Sequence, residues 1–214
     1  MALADYTTLT AAKSTAGSIK QFANNDNLPI TTILSEAQSW IYRNLRTPEM
    51  LTNSVGTITT SAISLAVPTR FLAPVYFFIT GTDRGKIEIK SLSDVRDQWS
   101  YDGSGVRVKA KPSMASCDLA SFWFDVMADK AYVVRLEYYQ SLAELSTATG
   151  GTTNFLTDRF PNLLRAACMM QAAFWQKDEK NRLAWEANAV AQIQSARLEA
   201  DEIAASELQQ MEVE

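Results

Sequence analysis

The chain has 214 residues, of which 47% are hydrophobic and 21% charged, a composition typical of a globular protein with a substantial core. It contains no histidine, which removes the commonest general base and the commonest protein ligand of zinc. The formal net charge is −4, and the last 20 residues alone carry six acids and one base. The remaining body is therefore nearly neutral, which argues against a sequence-reading nucleic-acid binder with a basic stripe.

The two cysteines, Cys117 and Cys168, lie far apart in the sequence and form no CxxC pair, so neither a metal cluster nor a redox motif is indicated. We expect two free, buried thiols in a reducing compartment, with a single disulfide as the alternative. The first residues lack the basic and apolar regions of a signal peptide. No apolar run reaches the roughly 20 residues needed to cross a bilayer. The sequence thus predicts neither a leader nor a membrane segment.

The N-terminal part of the chain is predicted to be helical. Residues 6–24 are polar and alanine-rich, which favours a modest helix weakened by Gly17. After a turn, Thr31 or Thr32 can cap a second helix that Pro48 ends. This helix is amphipathic, because its apolar residues recur at helical spacing: Ile33, Ala37, Trp40, Ile41 and Leu45.

The middle of the chain changes to the alternating and β-branched patterns of strands. Between these segments, residues 91–99 indicate a short capped helical turn. Several short strands with turn residues between them predict an antiparallel sheet or sandwich. The predicted strands are residues 57–67, 75–80, 86–90 and 105–112, followed by the segments LASFWFDVM and AYVVRLEYY.

The C-terminal part returns to helix after a Gly/Thr-rich loop at residues 146–154. In the helix that follows, Thr157 or Asp158 can act as the cap and Pro161 fits the first turn. Apolar residues then cover much of the helix circumference, as expected for the central helix of a bundle. The predicted bundle core is Trp40, Ile41, Leu45, Phe160, Leu164, Cys168, Phe174 and Trp175.

The order helix, strand, helix predicts an α+β fold. In this fold an α-helical bundle formed by the N- and C-terminal helices carries an inserted antiparallel β-sheet or sandwich module and a long C-terminal helix or arm. The expected domains are residues 1–54 and 141–195 for the bundle, 55–140 for the β module, and 196–214 for an acidic C-terminal arm.

Motifs that would indicate catalysis are weak throughout. The segment GTDRGK, residues 81–86, is one residue short of a phosphate loop, and Ile87 replaces its Ser/Thr, so a hairpin turn is the better interpretation. Cys168 has no histidine to activate it and is expected to act as a small buried hydrophobe. Asp97 and Asp102 lie near aromatic residues, as in a sugar site, but hairpin loops often produce such neighbours. We therefore expect no enzyme activity, no catalytic residue, no cofactor and no metal.

Several segments, in this order, resemble the head-to-tail adaptor proteins of tailed bacteriophages, in particular the podovirus-type connectors related to the tail tubular A proteins. The resemblance covers about residues 30–195. It departs at Thr69, where the family pattern has an acid, and at YDGSGVRVKAKP, which replaces a Gly-x-Pro-x-Tyr hairpin. The matching segments are EAQSWIYRNLR, VPTRF at residues 67–71, the LxYYxxxxxLS pattern at residues 136–146, and residues 154–178.

The resemblance implies a structural protein of the virion at the head–tail junction, made in the host cytoplasm. Such adaptors form a ring, usually twelvefold, that docks under the portal, extends the DNA channel and carries the tail nozzle or next tail ring during assembly and genome ejection. Double-stranded DNA passes through without sequence-specific binding, and no membrane is involved. Two alternatives stay open: another tail or head-completion ring protein, and a soluble β-module protein that binds carbohydrate or a host surface through Trp99 or Trp123.

Two surfaces are candidate interfaces of such a ring, which needs two different complementary patches on each subunit. The acidic tail is the candidate contact with the portal or a neighbour, and a solvated end is its alternative. The Gly/Thr-rich loop is the candidate inter-subunit contact, and a mobile connector is its alternative. The tail residues are Arg197, Glu199, Asp201, Glu202, Glu207, Gln210 and Glu212, and the loop residues are Thr149, Gly150, Gly151 and Thr152.

Overall fold

The computed structural model of the chain describes residues 5–118, 120–145 and 153–211, and for residues 201–211 it describes the backbone alone. The chain divides into two compact units. The helical unit comprises Met1–Pro48 and Leu142–Glu214, and the β unit comprises Glu49–Ser141. The fold is mixed α+β with antiparallel sheets and a long C-terminal helix, as the sequence predicts.

The helices are mostly short, apart from three in the helical unit. Two single 3₁₀ turns, Pro48–Met50 and Gly81–Asp83, lie between the helices and strands. The helices in chain order are α1 (Tyr6–Thr10), α2 (Ile19–Phe22), α3 (Ile30–Asn44), α4 (Leu92–Asp97), α5 (Phe155–Arg159), α6 (Pro161–Trp175) and α7 (Glu179–Met211).

The expectation of one helix over residues 6–24 is wrong, because two short helices occupy this segment. Each has its own cap: the Thr8 amide donates to the Asp5 carboxylate (2.6 Å), and the Gln21 amide donates to the Ser18 hydroxyl (3.1 Å). Gly17 lies between them with a φ of +88°, a left-handed conformation that ends a helix. The two local caps and this glycine divide the segment.

Helix α3 begins directly after Pro29, and no side chain caps it. Thr31 and Thr32 therefore lie inside its first turn, and the expected cap is wrong. The helix ends at Asn44, before Pro48, because Leu45 is already extended with a ψ of 139°. The expected cap of the later helix is wrong too, since the amides of Leu156 and Thr157 donate to the Asn154 side chain (3.1 and 3.2 Å).

Pro161 begins α6 at its first position, as expected, because proline lacks the N–H that would go unpaired there. Phe160 interrupts the helical backbone and separates α5 from α6. Helix α7 runs without a break through the expected boundary between residues 195 and 196. The tail is therefore continuous with the last helix up to Met211.

Helix α6 packs against both α3 and α7, and α2 also contacts it. The arrangement as a helical bundle stays a prediction. Of the eight residues predicted to form the core, four are fully buried, namely Ile41, Leu45, Leu164 and Cys168. Two more, Trp40 and Phe160, are half-buried. The prediction is wrong for Phe174 and Trp175, which are 63% and 47% exposed. Both lie in the last turn of α6, which the described neighbours leave uncovered.

Among the described residues, ten strands build the β unit, in three sheets. The first sheet has the order β1-β10-β3-β4 and is antiparallel throughout, and the second has the order β2-β8-β7-β5. A small sheet pairs β6 with β9. The strands are β1 (Leu51–Ile58), β2 (Ser64–Ala66), β3 (Phe71–Ile79), β4 (Gly85–Lys86), β5 (Glu88–Ile89), β6 (Lys109–Ala110), β7 (Met114–Cys117), β8 (Ser121–Phe124), β9 (Met127–Ala128) and β10 (Tyr132–Gln140).

The two four-stranded sheets share one apolar core. Alternate residues of β3 and β10 meet β8 there: the rings of Phe77 and Phe122 lie 5.1 Å apart, and Phe71 lies 5.6 Å from Phe122. The pairs β5–β7 and β6–β9 are parallel, which the antiparallel prediction did not include. Because buried residues alternate along β10, one face of this strand lies in the core and the other face lies outside it.

Four predicted strands differ from the observed ones. The segment LASFWFDVM divides between β8 and β9. Residues 57–67 do not form one strand, since β1 ends at Ile58 and a turn with Ser61 at a φ of +65° leads to β2. Residues 86–90 divide between β4 and β5, because Ile87 turns into the core between them. Residues 105–112 contribute only β6 and an isolated bridge. The capped turn at α4 is confirmed, and so is the hairpin at GTDRGK, where β3 pairs antiparallel with β4.

The units are divided at Glu49 and Ser141, whereas the sequence places the β module at residues 55–140. The earlier start includes the whole of β1, whose eight residues pair with β10 in uninterrupted register from Leu51 to Ile58. Backbone pairing over that length places the strand with its sheet.

Candidate functional site

The two thiols are free and their surroundings make them unreactive. Cys168 is completely buried, and burial raises the pKa of its thiol to about 12. Cys117 is half-buried, and its pKa rises to about 11 through burial and the neighbouring Asp118 carboxylate. A nucleophilic cysteine needs the opposite shift, toward a thiolate at neutral pH. Both residues therefore serve packing.

We expect both thiols to resist alkylation of the folded protein at pH 8. With pKa values of about 12 and 11 the thiolate fractions there are roughly 1 in 10⁴ and 1 in 10³. Because burial raises both pKa values, labelling should increase only as the pH approaches 11, and first at Cys117. Iodoacetamide labelling followed by mass spectrometry measures this, with the protein in 8 M urea as the fully labelled control. Fast labelling of Cys168 in the folded state at pH 8 would contradict the assignment.

Asp102 and Trp99 of the possible sugar site have local structural roles. The Asp102 carboxylate accepts from the amides of Ser104 and Val106 (2.8 and 3.0 Å), which fixes the hairpin turn. The Trp99 ring stacks on the Arg107 guanidinium at 3.8 Å, and its N–H donates to the Phe124 carbonyl (3.2 Å). These contacts account for the residues without a ligand.

Across the described ranges, no cluster of three metal-ligating side chains occurs, and no helix has the length and hydropathy to cross a bilayer.

Two of the predicted tail residues bind within the helical unit. The Arg197 guanidinium donates to the Asn44 carbonyl at the end of α3, and the Arg159 guanidinium donates to the Glu199 carboxylate at 2.9 Å. Both contacts hold α7 against the rest of this unit. The remaining candidates, in the tail and in the loop, lie outside the described side chains: Asp201, Glu202, Glu207, Gln210 and Glu212, and Thr149, Gly150, Gly151 and Thr152.

The helical unit exposes a set of large apolar side chains that its own core does not use. On α7, Leu183, Val190 and Leu198 are 53%, 40% and 65% exposed. At 100° per residue Leu183 and Val190 lie within about 20° of each other around the helix, and Leu198 lies about 80° from Val190. Gln194 lies between Val190 and Leu198, and Arg197 lies beside Val190. These are therefore single exposed apolar residues among polar ones, which are ordinary on a protein surface.

A groove of about 440 Å³ lies between α3 and α6 of the same unit. The half-buried Trp40 and the exposed Phe174 give it an apolar part, and two serines on successive turns of α3 leave room beside them. Its charged residues are the acid Glu36 and the base Arg43. The rest of the lining is Ser35, Ser39 and Gln171.

The β unit has an open edge at β1. This strand is first in its sheet, so its second edge has no strand partner among the described residues. It carries no charged residue and no proline, and its pairing with β10 has no bulge, whereas protected edge strands usually have such a device. Val55 at its centre is 67% exposed. An edge of this kind is suited to pairing with another strand.

A cleft of about 240 Å³ lies beside this edge and reaches the core of the β unit. Its β1 wall carries the small residues Ser54 and Gly56, and its floor includes Phe77 and Phe122. Small residues on the inner side of β1 leave this space open, and the sequence pattern of β1 alone did not reveal it. The edge and cleft together form a surface that accepts an extended segment with an apolar side chain.

The described residues thus build an open strand edge and a cleft on the β unit and a groove on the helical unit. The chain belongs to the SU10 adaptor protein family, whose sequence profile matches residues 3–210. It is accordingly a phage adaptor with a structural role. A comparison with curated proteins finds no match.

Proposed function

We propose that the protein is the subunit of a head-to-tail adaptor ring that docks under the portal of a tailed phage. The ring of twelve copies extends the DNA channel and provides the platform for the tail nozzle or the next tail ring. DNA passes through during ejection without sequence-specific binding. The observation that carries the proposal is the family match over nearly the whole chain, which includes both the helical unit and the β unit.

In this proposal the helical unit forms the ring. It is built from both ends of the chain, and its helix α6 packs on both α3 and α7 through a buried apolar core. A core of this kind keeps a subunit rigid while its outer surfaces contact neighbours. The end of α7 and the acidic residues that follow would engage the portal, where a helix can lie in a groove of the partner.

The β unit would serve the tail side. Its β1 edge supplies unpaired backbone donors and acceptors, and its cleft can take an apolar side chain from a partner strand. These features support a protein contact rather than a sugar site, since Trp99 is occupied by Arg107 and the Phe124 carbonyl.

The proposal is tested by negative-stain imaging of the purified protein, alone and mixed with its cognate portal. Rings, or monomers that become ordered only on the portal, are the expected result. As the matched genetic experiment, phage that lack this protein should fill heads that carry no tails, and supplying the protein should restore them. A protein that binds no portal, together with normal tails in its absence, would refute the proposal.

A further inference from the structure

The end strands of the two four-stranded sheets are protected against further pairing, except for β1. Strands β4 and β5 have two residues each and carry the charged residues Lys86 and Glu88. Strand β2 has three residues, and Pro68 follows it closely. Short length, charge and proline are the usual devices that keep an edge from pairing with another strand. Strand β1 has eight residues and none of these devices, so the first sheet can be extended at this edge.

The pairing of β10 shows which backbone groups of β1 are already used. In an antiparallel pair, opposite residues alternate between those that exchange hydrogen bonds and those that do not. The Val133 carbonyl accepts from the Thr80 amide just beyond β3 (2.8 Å), so the neighbouring odd-numbered residues of β10 bond toward β3. The even-numbered residues of β10 therefore bond toward β1, where they meet Ser54 and Gly56.

The alternate residues of β1 direct their N–H and C=O groups toward the open edge, and these are Asn53, Val55 and Thr57. Their side chains lie on the outer face of the sheet, where all three residues are exposed. A strand that pairs with these groups places every second side chain beside Ser54 and Gly56, on the inner face. Since these two residues form the β1 wall of the cleft, the added strand directs alternate side chains into it.

The cleft suits an apolar side chain in both size and charge. Its volume of about 240 Å³ exceeds the roughly 150 Å³ of an apolar cavity that binds benzene. None of its ten lining residues is charged. Ser54, Gly56 and Leu65 are partly exposed and form its mouth. Phe77 and Phe122 on the floor are at most 1% exposed, so an incoming side chain enters at the mouth and meets apolar residues further in.

The outer face beside the edge is also neutral. Arg135 lies opposite Val55, and Glu137 lies opposite Asn53. The Arg135 Nε and the Glu137 carboxylate are 3.9 Å apart, an ion pair within the chain. The two charges offset each other, so a strand laid along β1 needs no charged side chain on either face.

A second copy of β1 does not supply the side chain that the cleft accepts. The inner-facing residues of β1 are Thr52, Ser54, Gly56 and Ile58. If two β1 edges paired antiparallel about Val55, Gly56 of one copy would lie beside Ser54 of the other, and both are too small to fill the cleft. Ile58 is completely buried in its own core. The occupant is therefore a different segment, with larger apolar residues at alternate positions.

We propose that the β1 edge binds an extended, uncharged segment of another protein, which adds a fifth strand to the first sheet. The segment pairs with the backbone of Asn53, Val55 and Thr57 and places an apolar side chain of leucine size or larger in the cleft. This inference deepens the proposed tail-side contact by naming what the partner supplies. The assignment of that partner to the tail rests on the proposed function, whereas the strand contact itself does not.

Hydrogen exchange measured by NMR tests the pairing residue by residue. The probe is a short blocked peptide of alternating threonine and leucine, with a lysine at each end for solubility. Its binding should slow exchange of the Asn53, Val55 and Thr57 amides about tenfold or more, and that of Ser54 and Gly56, already bonded to β10, much less. The control peptide has glutamate in place of leucine and should slow none of them. Equal slowing in the two sets, or no slowing with the leucine peptide, overturns the proposal.

Two variants should block this site by different means. Gly56→Leu fills the mouth of the cleft, and the position has room because a Cβ there would lie 3.5 Å from the Leu65 side chain, an ordinary contact. Val55→Pro removes an N–H that faces away from β10, a position where an edge strand tolerates proline. Both variants should keep the circular dichroism spectrum and weaken peptide binding about tenfold or more.

Thr57→Leu is the matched control, because this side chain is exposed on the outer face and its replacement should leave the affinity for the peptide unchanged. Unchanged affinity in both Gly56→Leu and Val55→Pro would contradict the strand contact. Slower exchange of the edge amides at rising protein concentration, without peptide, would identify a second copy as the occupant and overturn the proposal as well.

The same variants in phage separate this inference from the proposed function. Particles with Gly56→Leu should carry the adaptor at the head–tail junction but have about tenfold fewer tails, whereas Thr57→Leu particles should be normal. Normal tail numbers with Gly56→Leu overturn the assignment of the strand to the tail. If the unaltered protein binds the peptide but is absent from the junction, the proposed function fails and the strand contact stands.

Discussion

Replacing Phe122 by alanine is expected to destabilise the β unit by about 3–5 kcal/mol, the usual cost of removing a buried phenylalanine ring. The Phe122 side chain is fully buried, and its ring touches both Phe77 and Phe71 across the two sheets. It also forms part of the floor of the cleft, so the new cavity would join an existing space. Relaxation into that space is limited, because β2 and β8 are held in register by backbone pairing.

Urea unfolding followed by hydrogen exchange measures this effect in each unit separately. Protection should fall in the β10 amides and change little in α6, since the two units have separate cores. Val133→Ala is the matched control, because Val133 is 48% exposed on the outer face of β10 and should cost no more than about 0.5 kcal/mol. A loss below about 1 kcal/mol for Phe122→Ala would show that the sheets close over the cavity.

Replacing Gln38 by alanine is expected to destabilise the helical unit by about 2–3 kcal/mol, because a buried backbone amide loses its acceptor. Gln38 is 1% exposed on α3. Its side-chain oxygen accepts from the Leu145 amide (2.6 Å) and from the Asn154 side chain (3.1 Å), and its nitrogen donates to the Leu34 carbonyl (3.3 Å). Gln38 therefore binds the chain on both sides of residues 146–152, at Leu145 and at Asn154.

The expected local sign is faster hydrogen exchange at the Leu145 amide, measured by NMR or by mass spectrometry of peptides from that segment. Gln192→Ala is the matched control, since Gln192 is an exposed glutamine on α7 of the same unit and its loss should be within about 0.5 kcal/mol. Unchanged exchange at Leu145 in the Gln38 variant would mean that another acceptor replaces the amide oxygen. Such a result would show that Gln38 is not needed to hold the Leu145 segment against α3.

Local sequence signals were sufficient where a residue has one strong conformational preference. Pro161 begins α6 because its ring and missing N–H suit only the first turn. Ser91 caps α4 through its hydroxyl, which accepts from the Asp94 amide at 3.2 Å. The same signals failed at Thr31 and Thr32, because the helix begins at Ile30, directly after Pro29. Several residues near a helix start can serve as caps, and packing chooses among them.

Apolar periodicity was a poorer guide to burial than to helix formation. Phe174 and Trp175 continue the pattern of α6, yet both are exposed, while Leu164 and Cys168 two or three turns earlier are completely buried. The pattern identifies which residues share a face, and that face is covered only where another helix lies against it. The position of α3 and α7 along α6 is set by residues distant in sequence. The same reason explains why the exposed apolar residues of α7 could not be distinguished from its buried ones.

The sequence by itself determined the α+β order of the chain, the lack of histidine-based chemistry, and the ordered segments that resemble phage adaptors. These properties depend on composition, local preference and chain order, all of which are carried by neighbouring residues. Only the tertiary structure decided that Arg197 and Glu199 bind within the helical unit, and that β1 ends its sheet at an open cleft. It also decided which apolar residues of α6 and α7 stay uncovered. Each of these outcomes depends on which distant segments meet, and burial is a property of that meeting rather than of the local sequence.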